Sequence, residues 1–352
     1  MTGARPFDVE VVRRDFPILS KTVYGKPLVY LDNAASAQKP KMVLDRMVHA
    51  YEHEYANVHR GLHYLANAAT DAFEQARETV RAFINAASTD EIIFTRNATE
   101  AMNMVAASLG RMVLKPGDEV ILSVMEHHSN IVPWHFHRER DGVIIKWIPC
   151  DDRGVLDLQA YEKLFTSKTK IVSVSQMSNV LGTINPIDEM VKIARRHGAY
   201  IMVDGCQGAV HVPTDVRALD VDFYCFTGHK LYGPTGIGVA YGKRALLEIM
   251  PPFNGGGEMI SVVTEEAVTY NEPPHRFEAG TPPIVQAIGL GAALDYMLSM
   301  DRQAALQHED ALGQYAMQRL SEINSLRIIG KAPGKGAIVA FEMEGAHAHD
   351  IA

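Results

Sequence analysis

Lys230 stands in the segment Thr227-Gly228-His229-Lys230-Leu231-Tyr232-Gly233-Pro234, a turn directly behind the apolar run Asp222–Thr227. Ligands bind where the strands of a parallel sheet end in loops, and a lysine amine placed there can form a Schiff base with an aldehyde cofactor. A surface lysine in a Gly/Pro turn is the alternative. Asp204 weighs against that alternative. The apolar run Ala199–Val203 ends in this acid, which lies 26 residues before Lys230, about one βαβ unit. A carboxylate at such a strand end faces the same crevice, where it can hold the protonated ring nitrogen of pyridoxal phosphate, an electron sink. An N-capping aspartate would explain Asp204 alone but not the conjunction.

A phosphate needs a cradle. The run Glu91–Thr95 followed by Arg96-Asn97-Ala98-Thr99-Glu100 offers a strand, a turn and a helix start, where backbone N–H groups and the Thr99 hydroxyl form an anion site. Asn-x-Thr-Glu is equally an ordinary helix start. A fourth segment, Met125-Glu126-His127-His128-Ser129-Asn130, ends the run Glu119–Val124 in adjacent histidines. His127 could lie over an aromatic cofactor and shuttle a proton, or it could be plain hydrogen-bonded structure. Adjacent residues point to opposite sides, so at most one of the two histidines faces a ring.

These residues need elements to position them, and the pattern supplies alternation. Short β-rich runs at Glu91–Thr95, Glu119–Val124, Val143–Ile148, Lys170–Ser175, Ala199–Val203 and Asp222–Thr227 are separated by helical stretches such as Ala98–Gly110, Leu156–Phe165 and Ile187–His197. Such alternation predicts an α/β fold with a mainly parallel sheet covered on both faces. The link from Thr227 to the run Ile237–Tyr241 is too short for a crossover helix, so that last strand is expected to be antiparallel. From Pro283 the pattern changes to two long amphipathic helices, Ile284–Met300 and Arg302–Ile323. Strands at Leu326–Ile329 and Ala337–Met343 follow, and the whole reads as a second, smaller α+β domain. Residues Ala346–Ala352 resemble the first turns of a helix, so the chain is expected to be truncated inside that domain, leaving Ala337–Met343 unpaired.

The 352 residues suit about two domains, and 47% hydrophobic with 22% charged residues is the mix of an ordinary globular protein. With 34 basic against 42 acidic residues the net charge is −8, which gives no electrostatic footprint for nucleic acid or an anionic membrane. No stretch has the length and apolarity of a signal peptide or a membrane span, so a cytoplasmic location is expected. Three cysteines, Cys150, Cys206 and Cys225, form no disulfide framework, and no His/Cys spacing suits a metal.

The segments together resemble the class V, fold-type I pyridoxal phosphate enzymes, specifically the cysteine desulfurases and selenocysteine lyases of the SufS-like group. Besides Asn97–Glu100, Glu126–Asn130, Val203-Asp204-Gly205-Cys206-Gln207 and Thr227–Lys230, the resemblance includes Leu31-Asp32-Asn33-Ala34-Ala35 and Asn57-Val58-His59-Arg60-Gly61. It also takes in Gly255-Gly256-Gly257-Glu258-Met259-Ile260 and Phe277-Glu278-Ala279-Gly280-Thr281-Pro282, and so covers nearly the whole chain. It implies an N-terminal arm at 1–30 joining the small domain, a large cofactor-binding domain at 31–282 and an incomplete small domain at 283–352. Lys230 would carry pyridoxal phosphate as a Schiff base and later shuttle the substrate Cα proton, with Asp204 on the pyridinium, Gln207 at the phenolic oxygen and His127 stacked on the ring. Thr99, Thr227 and His229 would hold phosphate, joined by Thr281 from the neighbouring subunit of a homodimer. Asn179 and Ala34 would position the substrate and the cofactor's hydroxyl side. His59 and Arg60 would lie near the mouth of the site.

The sulfur chemistry of that family also needs a cysteine nucleophile on a loop and an arginine that clamps the substrate carboxylate, and neither is visible in this sequence. Cys206 lies between Asp204 and Gln207, Cys225 within an apolar strand and Cys150 at a strand end, so all three read as structural thiols. The resemblance implies an L-cysteine desulfurase that passes sulfur to a SufE-type or SufU-type acceptor for iron–sulfur cluster assembly. Selenocysteine lyase, acting on L-selenocysteine, is the alternative, as is a truncated chain that binds cofactor without transferring sulfur.

Overall fold

The computed structural model describes residues 7–59 and 61–351. The chain opens with α1 (Val9–Arg14), the two-residue strands β1 (Thr22–Val23) and β2 (Lys26–Pro27), α2 (Lys41–His49) and α3 (Tyr64–Phe83). Strands and helices then alternate through β3 (Ile92–Thr95), α4 (Ala98–Val113), β4 (Glu119–Ser123), α5 (Val132–Asp141), β5 (Ile144–Ile148) and α6 (Leu158–Leu164). The alternation continues with β6 (Thr169–Ser175), α7 (Ile187–Arg196), β7 (Tyr200–Asp204), α8 (Gly208–His211), α9 (Val216–Leu219), β8 (Phe223–Thr227) and β9 (Gly238–Gly242).

Strands β3 to β9 form one sheet in the order β3-β9-β8-β7-β6-β4-β5. Strands β5, β4, β6, β7 and β8 pair in parallel, and β9 alone is reversed, antiparallel to both β3 and β8, as its short link requires. Strands covered on both faces read as continuous apolar runs. Accordingly β3, β4, β8 and β9 are buried at every residue, while the edge strand β5 leaves Ile144 and Trp147 exposed. Gly238 in β9 pairs with Thr95 on one side and Thr227 on the other. A Cβ there would come within 2.3 Å of the Asn97 backbone, so glycine is what lets the first turn of α4 lie directly on the sheet. That turn is closed by Asn97, whose side chain accepts the Glu100 N–H at 2.9 Å.

After α10 (Arg244–Leu247) comes an exposed hairpin of β10 (Ile260–Val263) and β11 (Val268–Tyr270), followed by α11 (Ile284–Leu298) and α12 (Arg302–Ser321). The sequence suggests that both helices are amphipathic. Instead α11 is buried nearly all round, packing on α2 and α3 so that Leu290 and Leu294 share a core with Phe73 and Val80. Helix α12 buries none of its residues. The strand expected to be unpaired has a partner: β13 (Ala340–Met343) pairs antiparallel with β12 (Leu326–Ile329), from Leu326 opposite Met343 to Ile329 opposite Ala340. A single turn, α13 (Ala348–Ile351), follows.

Candidate active site

The carboxyl ends of β3, β4, β6, β7 and β8 open on one cavity of about 480 Å³. Ala34, Thr99, His127, Asn179, Asp204, Gln207, Thr227, His229 and Lys230 all line it. The chain brings them from separate strand ends, which is where an open α/β sheet presents loops to a ligand.

Lys230 closes the single turn Gly228–Lys230 after β8. It is half-buried and makes no hydrogen bond or ion pair among the described residues. A lysine amine that lines a cavity with no direct hydrogen-bond or ion-pair partner is placed for covalent chemistry rather than for structure. Asp204, 5% exposed, ends β7 opposite Ser175 of β6 and Cys225 of β8. Its Oδ1 accepts the Cys206 N–H at 2.9 Å.

His127 caps the turn His128–Asn130, its Nδ1 accepting the Ser129 N–H at 3.1 Å. That bond leaves the proton of a neutral ring on Nε2. Partial desolvation pulls the His127 pKa down; Asp204 opposes this and Lys230 adds to it. His128 does not line the cavity, so only one of the adjacent rings reaches it. Ser129 links two of the expected residues: its Oγ lies 2.6 Å from Thr99 Oγ1 and 3.1 Å from His127 Nδ1. In the sequence, a serine in a polar turn carries no signal of its own.

Gln207 Nε2 donates to the Ala34 carbonyl at 2.7 Å, which ties the segment 31–39 over the cavity. Three more bonds strap that segment to the Lys230 turn: Ala37 N–H to the His229 carbonyl at 3.0 Å, Lys39 Nζ to the same carbonyl at 3.1 Å, and a 3.2 Å contact between His229 Nδ1 and Ser36 Oγ. Burial lowers Lys39 to a pKa of about 8, and burial together with the Lys230 and Lys39 cations pulls His229 below the ordinary histidine value. Neither Ser36 nor Lys39 was legible as a site residue.

Thr281 does not line this cavity. It lies exposed just beyond Glu278, which is fastened by Arg77 at 2.6 and 2.9 Å and by the Phe94 N–H at 2.6 Å. His59 Nε2 meets Glu74 at 2.9 Å, and Glu74 also pairs with Arg77. Arg60 lies outside the described residues. Burial raises the pKa of Cys206 well above the thiol range and that of Cys225 likewise, while Cys150 sits in a β-bridge with Leu156. A buried, protonated thiol is a poor nucleophile.

Residues 29–352 match the model of the family described as aminotransferase class-V. The chain belongs to that family. It is 50% identical to a probable cysteine desulfurase of Streptomyces coelicolor over 98% of this chain and 84% of the relative. It is also 50% identical to a cysteine desulfurase of Synechococcus elongatus, covering 97% of this chain but only 55% of that longer protein. Among solved structures, the Escherichia coli cysteine desulfurase CsdA in its S-sulfonic acid form superposes with a TM-score of 0.90 at 39% identity, covering 98% of this chain and 85% of that one. The class-V chain thus has the α/β architecture of fold-type I pyridoxal phosphate enzymes.

Its cavity fits that cofactor in charge and in donor set. Its lining includes the Thr99 and Thr227 hydroxyls, His229 and the first turn of α4, groups that would suit a phosphate. A carboxylate on β7 and an unpaired lysine after β8 supply the two groups that a pyridine ring and an aldehyde require. The cofactor of this class-V chain is pyridoxal phosphate.

Proposed function

We propose that this chain carries the cofactor chemistry of an L-cysteine desulfurase, in which sulfur leaves L-cysteine, alanine remains, and a cysteine thiol takes the sulfur as a persulfide for iron–sulfur cluster assembly. The observation that carries this reading is Lys230, without a partner among the described residues, in one cavity with the buried Asp204. Pyridoxal phosphate, when bound, supplies an electron sink that acidifies the substrate Cα–H. Lys230 Nζ holds the cofactor and then carries the Cα proton. The Asp204 carboxylate keeps a ring nitrogen protonated, and the neutral His127 imidazole has its Nε2–H to give. Gln207, with the Ala34 carbonyl on its amide, steadies the wall on the side of the cofactor's hydroxyl, and Asn179 positions the substrate.

The thiols of Cys206 and Cys225 are held protonated by burial and so are poor acceptors of the sulfur. A SufE-type or SufU-type protein is the downstream acceptor, in the cytoplasm; among the described residues no helix is long and apolar enough to cross a membrane. The working unit is a homodimer in which Thr281 serves the neighbouring cavity. The outward position of Thr281 and the almost complete exposure of Leu31 and Leu62 support this. Residues 283–352 belong to the smaller unit of each subunit, after the arm 1–30 and the large unit 31–282.

The deciding experiment loads the chain with pyridoxal phosphate, reduces it with borohydride and maps the labelled lysine, then measures alanine formation from L-cysteine with a thiol acceptor present. Label on Lys230 and sulfur-dependent alanine are expected. Label on another lysine overturns the site. Thiol-independent turnover of L-selenocysteine in strong preference to L-cysteine would favour the lyase.

A further inference from the structure

Strand β4 is bounded by two buried carboxyl groups of opposite circumstance. Glu119, at its start, is answered by Lys146 at 2.8 Å and by the Thr166 and Thr169 hydroxyls at 2.7 Å each. Glu126, just past its end, is 8% exposed and has no cation partner among the described residues. Its Oε1 accepts from Ser123 Oγ and from the Ser175 N–H at 3.0 Å, and its Oε2 accepts from Asn130 Nδ2 at 2.7 Å. Asn130 Oδ1 accepts in turn from Ser173 Oγ at 2.5 Å. One carboxyl therefore joins the end of β4, the end of β6 and the turn His128–Asn130 that His127 caps.

Burying an ionisable group without a counter-ion costs stability, so its presence beside a cavity calls for a reason. The connections supply one. The turn that Glu126 fastens carries the His127 ring and, through Ser129, the hydroxyl pair with Thr99. The strand end that it fastens includes Ser175, the register partner of Asp204, and the next residue, Gln176, donates its N–H to the Asp204 carbonyl at 2.9 Å. Glu126 itself does not line the cavity. We propose that Glu126 is a positioning residue of the cofactor site, setting the His127 turn in register with the Asp204 strand end. Burial, reinforced by the Asp204 charge, pushes its pKa up to about 7, consistent with a group retained at a cost for its bonds.

The inference rests on the reading of the cavity as a pyridoxal phosphate site. The test compares Glu126→Ala, Glu126→Gln and Glu119→Gln by cofactor affinity from visible absorbance, by visible circular dichroism of the bound chromophore, and by melting of the cofactor-free chain. Glu126→Ala should weaken cofactor binding by about tenfold or more, the scale of losing a hydrogen bond to a charged group, and should alter the visible dichroism. Glu126→Gln keeps the acceptor for Ser123 and Ser175 but opposes the Asn130 amide, and should shift both readouts by less. Glu119→Gln should lower melting while leaving both at their wild-type values. If the glutamine and alanine variants bind cofactor with wild-type affinity and dichroism, however much their melting falls, the positioning role is overturned. If the alanine variant does not fold, the glutamine variant decides by the same two readouts. Failure of the wild-type chain to take up cofactor would instead sink the reading of the cavity.

Discussion

Strand β8 and helix α12 show how differently two regions of this chain are held. All five residues of β8 are buried, and the strand delivers Lys230 within three residues of its end. Helix α12 is four times as long, yet none of its residues is buried, and it leaves Leu312 and Tyr315 exposed. The hairpin β12–β13 beside it has only two strands, and two strands alone are marginal in water. Every residue lining the cavity lies at or before Lys230. Burial by neighbours, rather than element length, decides which parts of the chain can hold a functional group to a fraction of an ångström.

The largest effect should come from the end of β8. Lys230→Ala should lose the covalent cofactor absorbance and slow Cα proton exchange by at least about a hundredfold, the range of a positioned acid–base group. Exchange at the wild-type rate, followed by loss of the Cα hydrogen signal in deuterated water, would remove Lys230 from the mechanism.

Stability should divide the two regions as sharply. Phe226→Ala in β8 should cost about 3–5 kcal/mol in denaturant unfolding, whereas Leu312→Ala, at a position 52% exposed, should stay within about 0.5 kcal/mol. Similar costs would break the comparison.

Asp204→Asn should preserve the fold and slow Cα exchange by about ten- to a hundredfold, the equivalent of roughly 1.5–3 kcal/mol for a hydrogen bond to a charged group. Unaltered exchange would show that the ring nitrogen needs no carboxylate.

The smallest effect is a pH dependence. Folded Glu126 titrates at about 7 against the ordinary 4.5, so between these values the folded chain keeps a proton that the unfolded chain has released. Its contribution to stability is therefore fully present below 4.5 and is lost as pH rises through 7. His127, His229 and His275, all lowered chiefly by desolvation, act in the opposite sense: their contribution is present above the ordinary histidine value and is lost as pH falls. They are common to both chains. Melting of the cofactor-free wild type relative to Glu126→Gln should thus decline from pH 4.5 to 7, and a flat difference would show that Glu126 is not raised.

Much of this was legible in the residues. The buried strands announced themselves as apolar runs, with boundaries off by a residue at each of β3 to β9, because a strand covered on both faces has little choice but to be apolar throughout. The reversal of β9 followed from the shortness of its link. That Asp204 and Lys230 line one cavity was legible because strand ends concentrate chemistry, and the two could be paired across 26 positions of sequence; Gln207, His229 and Asn179 came from the resemblance alone. The character of α11 was misread. Its apolar residues fit a helix with one buried face, yet α2 and α3 enclose it, and periodicity alone does not reveal how many neighbours a helix will have.

The sequence by itself determined the alternation of strands and helices from β3 to β9 and pointed to the lysine, carboxylate and histidine that line one cavity, since these depend on local pattern and residue chemistry. Tertiary structure alone decided that the Gln207 amide meets the Ala34 carbonyl across 173 residues, that Ser36 and Lys39 strap a loop to the Lys230 turn, and that Glu126 joins β4 to β6. These are contacts between segments distant in the chain, made by serines, lysines and glutamates that are equally at home on a surface. What selects them is the geometry of the sheet, whose parallel strands bring their carboxyl ends to one edge and gather the polar groups there within hydrogen-bond reach of one another.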